Sequence, residues 1–143
     1  MQDHPWFKFY PESVPHEVDV NAYNSVVELF EESIKKFRDA VAYECMGKQL
    51  TFNQLDEMSR NMAAYLQQEL GMKKGERIGI QMPNLLQYPV VLFGALRAGL
   101  IVVNVNPLYT PSEMKHQYGD AGVDAIVISV SYTHLTLPTI YSV

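Results

Sequence analysis

The chain has 143 residues, 48% apolar and 19% charged, with 11 lysines and arginines against 16 aspartates and glutamates. That is about one domain with enough apolar content for a core, and a net charge of −5 without a basic stripe excludes nucleic acid as the main partner. The single cysteine, Cys45, excludes an internal disulfide framework, and no apolar run reaches the ~18 residues of a membrane span.

Residues 1–22 read as an arm. Pro5, Pro11 and Pro15 break it, and acidic residues interrupt any apolar run, so it makes no secretory signal. The cytoplasm is the expected location, with loose contact to the inner face of the membrane. Trp6, Phe7, Phe9 and Tyr10 are expected to pack across the body, because no basic residues interleave them for base stacking.

Residues 23–129 carry the elements. Val26, Phe30, Ile34 and Phe37 recur at helical spacing and predict a helix over residues 23–37. Glu31 with Lys35, and Glu32 with Lys36, have the spacing of ion pairs on a solvated face. Residues 41–45 and 49–51 predict a hairpin turning at Gly47, with Cys45 as a small buried hydrophobe. Thr51 and Gln54 have capping-box spacing and open a long helix with Leu55, Met58, Met62, Tyr65, Leu66 and Leu70 as its apolar stripe. Gly71 ends it.

From Arg77 onward, three apolar runs alternate with two helical patterns. The runs are residues 77–81, 101–105 and 124–129. Near-continuous apolar character predicts parallel strands buried on both faces, joined by right-handed crossovers. Asn84 to Gln87 offers a cap for the first helix, which ends near Arg97 and Gly99. Thr110, Pro111 and Glu113 open the second, which stops near Gly122. The fold class is α/β, a mostly parallel sheet with flanking helices.

Residue chemistry alone gives no reaction. The glycines do not make a dinucleotide fingerprint, and neither a Walker-type loop nor a Gly-x-Ser-x-Gly elbow occurs. His4, His16, His116 and His134 lack metal-ligand spacing. No residue is assigned a catalytic, cofactor-binding or metal role.

Two motifs carry a resemblance. Residues 50–55 (LTFNQL) with 59–66 (SRNMAAYL) resemble the first core motif of the AMP-forming, or adenylate-forming, acyl-CoA synthetases, and residues 95–107 (ALRAGLIVVNVNP) resemble the second. Residues 82–89 and 104–111 are most similar to the bacterial long-chain fatty-acid–CoA ligases, and the likeness extends over residues 7–129. It implies the N-terminal part of the large domain of such an enzyme, truncated. A full-length parent would use ATP, Mg²⁺ and CoA to turn a long-chain fatty acid into acyl-CoA through an acyl-adenylate. It leaves room for a homodimeric parent with peripheral membrane contact. The family's phosphate loop, metal glutamate and C-terminal lysine have no counterpart here, so the chain itself is expected to be inactive, with no cofactor of its own. Another acyl-CoA synthetase with a different acid, or a stand-alone α/β binding module, are the competing readings.

Residues 130–143 differ in kind. All 27 charged residues precede them. Residues 130–139 resemble the translation of a transposase-adapter sequence, so a non-native tail is expected. A sheet ending at residue 129 is expected to leave an edge bare and the chain poorly soluble.

Overall fold

The computed structural model describes residues 4–129. The domain boundaries expected near residues 22 and 129 are therefore visible only in part, and residues 130–143, with His134, lie outside the described residues.

Helix α1 (Val26–Phe37) begins three residues later than its apolar spacing predicts. Ser25 is its N-cap and accepts from the Glu28 amide, while the Glu28 carboxylate takes the Asn24 amide. Caps outrank periodicity here because they satisfy amides that the first turn leaves open. Only Phe30 and Ile34 of the predicted stripe are buried; Val26 and Phe37 are exposed. Strands β1 (Val41–Cys45) and β2 (Lys48–Thr51) form an antiparallel hairpin. Met46 and Gly47 both take positive φ, 52° and 72°, as a tight two-residue turn requires. Cys45 is only half-buried, and its thiol donates to the Asn84 carbonyl at 3.4 Å.

Helix α2 (Phe52–Gln68) starts on the Thr51–Gln54 capping box. Its buried side keeps only part of the predicted stripe, Leu55 and Leu66 with Met62 packed beside them. Leu55, Ser59, Ala63 and Leu66 are buried, whereas Met58, Tyr65 and Leu70 are exposed. Small residues face inward because a second helix packs there at close range, and long apolar ones on the flanks remain at the surface.

That second helix is α3 (Gln87–Arg97), between strands β3 (Arg77–Gln81) and β4 (Ile101–Asn104). Asn84 does not cap it. Leu86 holds the N-cap position in αR geometry without a side-chain bond, and Pro89 sits in the first turn, where an amide is not needed. Helix α4 (Pro111–Ala121) then leads to β5 (Ala125–Ile128). It has the Thr110–Glu113 capping box, Pro at its start, and Gly122 at φ 60° as its C-cap.

The three later strands are parallel in the order β4–β3–β5, with Ile78 opposite both Val102 and Ala125. Ile78 and Ile80 face α2 and α3 together with Val102 and Val127. Val103, Ile126 and Ile128 face α4 through Met114 and Tyr118. The chain moves one way across the sheet from β3 to β4 and the other way from β4 to β5. Helices on opposite faces therefore give both crossovers the same hand, as parallel units require. Only β3 is deeply buried. β4 and β5 stay partly exposed, because each pairs on one side only among the described residues.

The arm does not lie packed across the body. Its backbone bonds are local turns such as Phe9 N to Trp6 O and Val14 N to Pro11 O. Its rings cluster with one another: His16 stacks on Phe7 at 4.2 Å, and His4 stacks on Trp6 at 4.6 Å.

Candidate functional site

Two polar networks organise the molecule. The first joins the two sequence motifs. Arg97, near the end of α3, has a side chain only 7% exposed. Its Nη2 donates to Asp56 Oδ1 at 2.6 Å, and its Nη1 donates to the Asp56 carbonyl and to Ser59 Oγ. Glu31 of α1 lies 3.6 Å from the same guanidinium and 3.8 Å from Arg60, so it turns toward arginines and not toward a solvated Lys35. The guanidinium stands 5.0 Å over the Phe30 ring, which stacks on Phe93 at 3.7 Å. Nε is buried with no partner, as a planar group engaged at both Nη atoms and lying over a ring leaves it. Arg97 is thus a packing clamp between three helices, beyond its favourable place at a helix C-terminus.

The second network lies at the carboxyl end of the sheet, where open α/β sheets bind ligands if they bind any. Gly79 and Gln81 share the face of β3 that meets α4. A Cβ on Gly79 would come within 2.8 Å of the Tyr118 ring. The missing side chain lets that ring lie flat against the strand, and its hydroxyl donates to Gln81 Oε1 at 2.5 Å. Gln81 Nε2 donates to the Asn106 carbonyl, Tyr88 donates to Asn104 Oδ1 at 2.7 Å, and Gln117 Nε2 donates to the Asn104 carbonyl. These bonds tie the end of β4 to α3 and α4, and the segment after it to the central strand.

Burial pushes the Tyr118 hydroxyl from 10.0 up to about 12. The folded chain therefore keeps Tyr118 neutral after an unfolded one has released its proton. The stability that this contributes is complete below pH 10 and is lost as pH rises through 12. Tyr118→Phe is expected to cost about 1–3 kcal/mol at pH 8, since Gln81 Oε1 is left buried without a donor. Urea denaturation of both proteins at pH 8 and near pH 11 should show the gap narrowing at the higher pH. An equal gap at both would refute the link.

Both networks hold elements of the fold together. The Arg97 donors are committed to Asp56 and Ser59. The lowered pKa of Glu113 comes from the Thr110 backbone and hydroxyl that it caps. Among the described residues no three His, Cys, Asp or Glu side chains converge to hold a metal ion. Those residues do not fit an ATP–Mg²⁺ site. His116 lies on α4 with Glu113 and Asp120 around an open hollow. His4 and His16 each contact the Phe7 ring in the arm.

The family described as AMP-binding enzyme matches residues 30–140. The chain belongs to the AMP-binding enzyme family. The family match includes both motifs joined by Arg97. Within it, a long-chain-fatty-acid–CoA ligase from Escherichia coli O6:H1 is 55% identical over 129 residues, which is 90% of this chain and 23% of that protein. A ligase of the same name from Haemophilus influenzae is 50% identical over 123 residues, 86% of this chain and 22% of its own length. The chain thus spans less than a quarter of these relatives. Among solved structures, a benzoate CoA ligase from Burkholderia xenovorans superposes with a TM-score of 0.72 at 25% identity, over 77% of this chain and 22% of that one. The α/β architecture of this chain is that of AMP-binding enzymes.

Proposed function

We propose that this chain is part of a long-chain fatty-acid–CoA ligase. The observation that carries the reading is its 55% identity over 129 residues with an enzyme of that name. A carboxylate is a poor electrophile. In the proposed parent its oxygen would bond to the α-phosphorus of ATP as the bond to pyrophosphate breaks, and the acyl-adenylate would carry AMP as a leaving group, with Mg²⁺ supplying charge neutralisation at the phosphates. The thiol of CoA then takes the acyl group. The residues of this chain supply the scaffold: a sheet held by α3 and α4, and two motifs locked together by Arg97. The same reading extends to a cytoplasmic parent with peripheral contact at the inner membrane face, where long-chain acids partition, and to a homodimer, which sedimentation of the parent tests.

The full-length parent is expected to release pyrophosphate and form acyl-CoA with long-chain acids. The 143-residue chain is expected to give a flat calorimetric titration with ATP and Mg²⁺, because the Arg97 donors are committed to Asp56 and Ser59 and no metal-holding cluster occurs among the described residues. Saturable micromolar ATP binding by this chain would refute the second expectation. A second reading, a related ligase for another acid, rests on the fold shared with a benzoate ligase. Pyrophosphate release by the parent only with aromatic or short acids would select it.

A further inference from the structure

We draw no further inference here: the strongest candidate, the apolar hollow that Val26 and Leu29 of α1 form with Ala42 and Tyr43 of β1 over the Phe30 and Phe93 rings, carries nothing, because the chain spans less than a quarter of its relatives and nothing in the structure shows what covers that hollow.

Discussion

Arg97→Met is expected to destabilise the chain by about 2–3 kcal/mol, read as a lower urea midpoint with an unchanged slope. Breaking a buried ion pair costs about 3–5 kcal/mol when the partner is left uncompensated. Here the partner keeps some help: Asp56 is 23% exposed, and Arg60 Nε still donates to its Oδ1 at 2.9 Å. The cost therefore falls below the full range. Methionine retains apolar stem over Phe30 but none of the four polar contacts to Asp56, Ser59 and Glu31. Arg97→Lys keeps the charge and loses the planar fork, so it should recover less than half of the loss. A double-mutant cycle with Asp56→Asn isolates the pair. A loss under about 0.5 kcal/mol, the scale of an ordinary surface substitution, would refute the clamp.

Sequence showed this residue only as a cation at a helix end. The pairing partner lies 41 positions earlier, and no local pattern ties a carboxylate in one helix to a guanidinium in another. The same holds for Tyr118 and Gln81, 37 positions apart. Features settled within one turn or one strand were legible. The Thr51 and Thr110 capping boxes, the three parallel runs and the Gly122 stop all stand where residue types require them. Features that depend on neighbours were not. Periodicity groups Met58 and Tyr65 with the core because it scores them as apolar, yet they point outward once Ser59 and Ala63 meet α3. Continuous apolar runs suggest strands buried on both sides, but face burial says nothing about a strand's edge, and β4 and β5 are edges among the described residues. The arm's rings read as packing groups, because composition cannot distinguish packing against the body from packing among themselves. No site was assigned from sequence, and the networks found are structural. Their only advance signals were a charge set among Ala, Leu and Gly at Arg97 and a polar end to an apolar strand at Gln81.

Gly94→Ala is expected to destabilise the chain by about 1 kcal/mol net, against the ordinary trend for glycine in a helix. Propensity alone would favour alanine by about 1 kcal/mol. Packing opposes it. A Cβ on Gly94 would stand 2.7 Å from Met62 Cβ and Cγ and 3.1 Å from the Ser59 carbonyl. Met62 Cβ is fixed to its own backbone and cannot swing aside, so α2 and α3 must move apart. That movement strains the contact which Arg97 closes with Asp56 and Ser59. Overpacking of this kind costs about 1–3 kcal/mol and sometimes more, so it exceeds the propensity gain, and Gly94→Val should exceed it further. Gly119 in α4 is the matched control. Nothing lies within 4 Å of the Cβ it would carry, and its φ is not positive. Gly119→Ala should therefore stabilise by up to about 1 kcal/mol. Thermal denaturation of the two alanine variants should move in opposite directions from the parent sequence. If Gly94→Ala raised the midpoint as Gly119→Ala does, the close approach of α2 and α3, and with it the joint between the two motifs, would be wrong.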